Sequence, residues 1–253
     1  MSKLPVMILS ATLLSAAPAF AQNTTGSTPF YEMRIYQAPE GKLDDLNARF
    51  RNHTLKLFEK HGMTNLGYWV PLDNPDRKLY YVLSYPDREA REQSWKAFMA
   101  DPGWQAAHRA SEVNGRLVEK IESIFLSPTA YSPAIQPSAG DPARTFELRT
   151  YKAAPGKLDA LHQRFRDHTI ALFSRHGMTH FGYWVPVEEK DGAGQTLIYI
   201  LAHKSPEAAK ASFAGFRADP GWIAAKEASE RDGSLTERVD SLLMKPTDYS
   251  PTR

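Results

Sequence analysis

Residues Arg49–Pro71 read RFRNHTLKLFEKHGMTNLGYWVP, and Arg164–Pro186 read RFRDHTIALFSRHGMTHFGYWVP. A string of this length does not recur by chance, so the chain carries one unit twice, offset by about 115 residues. The agreement extends outward on both sides. Glu32, Arg34 and Tyr36 recur as Glu147, Arg149 and Tyr151, the tetrapeptide DPGW occurs at Asp101 and Asp219, and YSP occurs at Tyr131 and Tyr249. Two domains follow, at residues 30–133 and 144–251, joined by a proline-rich linker over 134–143 that is expected to be stiff.

Each unit opens with an alternating strand, FYEMRIY in the first, which places Tyr31, Met33 and Ile35 on one face and Glu32, Arg34 and Tyr36 on the other. A Pro/Gly turn leads into a helix with an apolar stripe of Leu43, Leu46, Phe50, Leu57 and Phe58, which ends at His61-Gly62. A two-stranded hairpin, two helices capped by Asp87 and by Asp101-Pro102, and a last strand complete the unit. That order is ferredoxin-like α+β. Such a unit leaves one sheet face bare. Two tandem copies can cover it mutually as an eight-stranded, intramolecular pseudo-dimeric α/β barrel, with Glu32, Arg34 and Tyr36 expected to face its lumen.

The N-terminus reads MSKLPVMILSATLLSAAPAFAQ. Lys3, an apolar run too short to span a bilayer, and Ala19-Phe20-Ala21 together predict a secretory signal over 1–21, cleaved near Ala21, and a secreted or periplasmic product with no transmembrane segment. A net charge of +2 with interspersed signs gives no nucleic-acid signature, and the absence of cysteine excludes disulfides and thiolate metal sites. No phosphate loop, GxSxG, HExxH or calcium-loop motif is present.

Glu32-x-Arg34-x-Tyr36, His53, His61-Gly62, Gly67-x-Trp69, DPGW and the terminal Leu126-x-Pro128 together resemble the NIPSNAP family, and both copies match over their length. The resemblance implies the dimeric α/β barrel fold, a superfamily with haem-binding proteins, small monooxygenases and isomerases. On that basis the chain is expected to bind a small hydrophobic or aromatic ligand, of which haem is one candidate, with further self-association open. The alternatives are a cofactor-free isomerase or monooxygenase and a non-catalytic interaction module of the cell envelope.

The ligand-binding candidates are Arg34, Tyr36 and Trp69 with their counterparts Arg149, Tyr151 and Trp184: guanidinium for an anion, flat rings for an aromatic. The proton-transfer candidates are His53, His168, Glu32 and Glu147. The two histidines lie on the apolar helix stripe and are expected to be half-buried, where they could equally serve as haem axial ligands. His180 and His203 are peculiar to the second copy. A hairpin register that sets Val187 near Thr196 brings them opposite each other, as a metal pair completed by Glu147 or Asp240.

Overall fold

The computed structural model describes residues 28–140 and 142–253, so the predicted signal segment lies outside the described residues. The first unit consists of β1 (Phe30–Gln37), α1 (Leu43–Arg49), α2 (Leu55–Lys60), β2 (Thr64–Pro71), β3 (Lys78–Tyr85), α3 (Arg88–Ala100), α4 (Pro102–Ser111) and β4 (Lys120–Pro128). The second repeats it as β5 (Thr145–Ala153), α5 (Leu158–Arg164), α6 (Ile170–Arg175), β6 (Thr179–Pro186), β7 (Thr196–His203), α7 (Pro206–Ala218), α8 (Pro220–Ser229) and β8 (Thr236–Pro246). The extra residues of the second hairpin form a short 3-10 turn at Glu189–Asp191.

Local chemistry sets the element ends as expected. Gly62 and Gly177 take φ of 78° and 77° after α2 and α6, the left-handed conformation that stops a helix at little cost to glycine. Asp87 accepts the Ala90 N–H at 2.8 Å, and Asp101 accepts those of Gly103 and Trp104 at 2.7 and 3.3 Å, so α3 and α4 begin on satisfied donors.

All eight strands close into one antiparallel barrel in the order β1-β3-β2-β8-β5-β7-β6-β4. Within it each unit keeps the ferredoxin-like order 4-1-3-2, and the closure is made twice by the same exchange. The last strand of each unit pairs with the second strand of the other, Trp69 opposite Pro246 and Trp184 opposite Pro128.

The YSP motif continues that exchange. Ser132 accepts the Tyr183 N–H at 3.0 Å and Ser250 accepts the Tyr68 N–H at 2.9 Å, each reaching from one unit into a strand of the other. Tyr131 packs on Phe165 and Tyr183, while Tyr249 packs on Phe50 and Tyr68, so each tyrosine completes the aromatic core beneath its neighbour's helices. The linker is not a free spacer. Ile135 is buried among the lumen residues, and the backbones of Ser138 and Gly140 bond to Arg253 at the C-terminus.

The lumen is packed with apolar side chains: Tyr31, Met33, Trp69, Phe146, Phe181 and Trp184 meet there. Bulges at Leu66 and Phe181 allow each tryptophan to fold back over the preceding glycine. A Cβ on Gly67 would stand 2.2 Å from the Trp69 indole, so glycine is required at that position.

Candidate functional site

The strand alternation in β1 holds, but the two faces are exchanged relative to expectation. Tyr31 and Met33 point into the lumen, and Glu32, Arg34 and Tyr36 point toward the helices. Both faces of this sheet are covered, so alternation alone cannot say which is which. What decides is the supply of partners. The helix side offers donors from α3, β3 and β4, whereas the lumen is apolar, and a carboxylate there would be left unsolvated.

Glu32 is fully buried and accepts hydrogen bonds from five side chains. Arg34 donates at 2.6 Å, Arg91 from Nη2 and Nε at 2.9 and 3.0 Å, Trp95 from Nε1 at 3.0 Å, Tyr85 at 3.1 Å, and Ser123 from the adjacent strand. Burial pushes the carboxyl up, but the Arg91 hydrogen bonds, the Arg34 charge and the Ser123 hydroxyl outweigh it and bring Glu32 to about 2. A carboxylate so held is ionised at neutral pH and orients Arg34 and Trp95. The Arg34 guanidinium lies 4.3 Å from the Trp95 ring centre and reaches the Tyr36 hydroxyl at 3.3 Å.

Above this cluster lies a cleft of about 810 Å³ between sheet and helices, within the size range of small-molecule sites. Its formation depends on the first helix. Between α1 and α2 the chain takes a π-helical turn over Phe50–Thr54, in which the Thr54 hydroxyl bonds the Arg49 carbonyl at 3.2 Å. The wide turn brings Arg49, Phe50, Thr54 and Phe58 to the cleft. Arg49 is fixed by Glu112 at 2.9 Å and by Ser111 at 3.3 Å and lies 5.4 Å from the Trp104 ring. Four arginines (Arg34, Arg49, Arg109, Arg116) face two glutamates (Glu112, Glu119) around the cleft, a surplus of two positive charges over aromatic walls. No sequence motif marks Arg49, Trp95 or Glu112 as site residues. Arg49 was nonetheless visible in the repeated RFR, and only its apolar neighbours had an obvious period.

The same π turn places His53 and His168 on the outside. Both are exposed, at the edges of shallow surface depressions, because the extra residue in the turn rotates them off the stripe that Phe50 and Thr54 occupy. They reach neither the cleft nor Glu32. Trp69 and Trp184 face the lumen but are completely buried, with Phe146 and Phe181 5.4 Å from Trp69, so they are packing elements and leave no wall for a ligand.

The metal pair does not form. The hairpin register sets His180 opposite Leu201, and His203 pairs with Thr145 on the other side of β7. The hairpin pairs Trp184 with Ile198, one residue off the expected register, and the bulge between His180 and Gly182 adds a second, so the expected pairing is displaced by two positions. His180 bonds Ser174 at 2.8 Å and Tyr183 at 2.6 Å, as Asn65 bonds Tyr68 in the first unit, and burial pushes its pKa down. Asp240 pairs with Arg238. Among the described residues no group of three or more His, Cys, Asp or Glu side chains could hold a metal ion.

In the second unit Glu147 accepts from Arg149 at 2.6 Å, from His203 at 3.1 Å and from Ser241. Ala209 and Phe213 stand where the first unit has Arg91 and Trp95, and His203 stands where it has Tyr85, so Glu147 keeps three side-chain donors where Glu32 has five. Burial raises the Glu147 carboxyl, and the His203, Ser241 and Arg149 contacts bring it below its ordinary value. Arg149 lies 4.4 Å from the Phe213 ring, and Tyr151 packs against Phe165 and Tyr199.

Among solved structures, the chain is similar to a protein with a provisional monooxygenase assignment from Lactobacillus acidophilus NCFM (TM-score 0.57, 11% identity, 87% of this chain and 94% of that one). A second, with the same provisional assignment, from Fusobacterium nucleatum, has TM-score 0.59 at 10% identity over 87% of this chain and 93% of that one. At such identities the likeness is one of fold. A NIPSNAP domain protein from Burkholderia xenovorans is 26% identical over 42% of this chain and 99% of its own, with TM-score 0.37. No curated protein is significantly similar in sequence. The NIPSNAP family model matches residues 31–133 and again 146–251, which together span most of the chain. The protein thus belongs to the NIPSNAP family, as two tandem domains closed into one barrel.

Proposed function

We propose that the protein binds a small, flat aromatic ligand carrying negative charge, in the cleft between the sheet and helices of the first unit. The observation that carries this reading is the cleft itself: about 810 Å³, walled by Tyr36, Phe50, Trp95 and Trp104, with a surplus of arginines. Rings supply area for stacking, and guanidinium groups supply fork geometry for a carboxylate or sulfonate. The barrel is then the covalent counterpart of a dimer, and its packed lumen is the scaffold that holds the cleft.

Haem has the shape and charge of this ligand class. His53 and His168 lie outside the cleft and do not fit as its axial ligands; His108 lines the cleft, with Nε2 3.5 Å from Glu112. A second reading, oxygenase or isomerase chemistry, is favoured by Tyr36 and His108, which line the cleft together with Glu112 and Glu119 as groups able to carry a proton. Glu32 is unsuited to that role, being held ionised by five donors. A partner-binding surface has less support, since two of the exposed large apolar side chains, Met99 and Ile121, belong to the cleft itself.

The test is a titration with 8-anilinonaphthalene-1-sulfonate, followed by fluorescence, and with hemin, followed by absorption. Saturable binding is expected, weakened roughly tenfold or more when the exposed Arg109 and Arg116 are both changed to glutamate, equivalent to about 1.4 kcal/mol. Absence of saturation by either probe, or indifference to the charge reversal, would overturn the reading.

Export is part of the same proposal. Expression in a bacterium with a general secretory pathway is expected to yield a periplasmic protein whose first residue is Gln22, checked by intact mass and N-terminal sequencing. Recovery of the uncleaved chain from the cytoplasm would sink it.

A further inference from the structure

We propose that the chain holds one ligand rather than two, and that Arg217 is the residue that closes the second cleft. This inference rests on the cleft reading above. Duplication would be expected to give two equivalent sites, and much of the site is in fact repeated: Arg149 for Arg34, Arg164 for Arg49, Trp222 for Trp104 and Glu230 for Glu112. Arg164 even keeps the same anchors, Glu230 at 2.8 Å and Ser229 at 3.3 Å.

The cavities differ nonetheless. In the first unit one continuous cleft runs from Arg34 and Phe58 at the floor to Trp104 and Arg109 at the mouth. In the second, the corresponding space is two separate depressions. One, of about 630 Å³, lies at Trp222, Lys226 and Glu230. The other, of about 240 Å³, lies at Glu147, Arg149 and Phe213. Phe165, Thr169 and Phe173, the counterparts of the first unit's floor, line neither. The residue common to both depressions is Arg217, which stands where the first unit has Met99.

A long guanidinium side chain at that point divides the cleft, while the unbranched, apolar Met99 forms part of its open rim. The mouth has also lost its surplus of positive charge, Arg217 and Lys226 being matched by Glu227 and Glu230. Glu227 replaces Arg109 and Ser234 replaces Arg116, so an anion entering the second cleft meets a weaker field. The second unit is therefore specialised as the structural half of the barrel, and the first carries the site.

The experiment measures stoichiometry with 8-anilinonaphthalene-1-sulfonate on three forms of the full mature chain, by titration calorimetry with fluorescence as a second readout. Wild type is expected to bind one equivalent. Arg217→Met is expected to bind two, and Met99→Arg to lose the single site or weaken it at least tenfold. Both positions are exposed, so the variants should fold, and circular dichroism melting checks this. Two equivalents in wild type, or one in Arg217→Met, would overturn the inference and leave the cleft reading standing. No binding in wild type, or unaltered binding in Met99→Arg, would overturn both.

Discussion

Glu32→Gln is expected to destabilise the protein by about 3–5 kcal/mol, the cost of leaving buried cations without their counter-charge. In a chain of this size that lowers the melting temperature by roughly 6–20 °C. The glutamine keeps the shape but loses the charge that Arg34 and Arg91 share, and its amide group points donors at donors. Glu147→Gln should cost less, because the second unit has one arginine and a histidine around its carboxylate. Chemical denaturation of the two variants side by side tests the comparison. Equal losses would mean that Arg91 and Trp95 add nothing to the first cluster.

The pH dependence follows from the same group. Glu32 has a folded pKa of about 2, below the ordinary value near 4.5 that it recovers on unfolding. Its contribution is therefore complete above the unfolded value and is lost as pH falls through the window from about 4.5 to about 2. Glu147, also lowered, adds a loss of the same sign. An acid titration of stability should show wild type falling steeply across that window and Glu32→Gln falling less. Parallel curves would contradict the assignment.

Trp184→Ala is expected to cost about 3–5 kcal/mol, the range for truncating a fully buried large aromatic. The indole packs against Tyr31 at 5.8 Å and Phe181 at 6.1 Å, and Gly182 leaves no side chain to collapse into the space. Trp69→Ala should cost a similar amount. Because both indoles touch Phe181, the double variant should deviate from the sum of the single ones. If Trp184→Ala remained as stable as wild type while losing binding of the aromatic probe, the lumen and not the helix-side cleft would be the site.

The duplication, the order of elements, their caps and the ferredoxin-like unit are all legible in the amino-acid string. Each of these is written in local chemistry: the repeated string, the period of two in Glu32-x-Arg34-x-Tyr36, the glycine after His61, the proline after Asp101. The barrel was legible for a related reason, since a sheet with helices on one face must cover the other. Three features were settled only by the tertiary structure. Which face of β1 meets the lumen depended on donors brought from α3, sixty residues away in sequence, to solvate Glu32. Whether His53 is inside or outside depended on a π turn that adds one residue to the helical period. Whether His180 meets His203 depended on the hairpin register and on the bulge within it. In all three the face or partner that a side chain meets is set by packing between segments distant in the chain, which the local pattern does not encode.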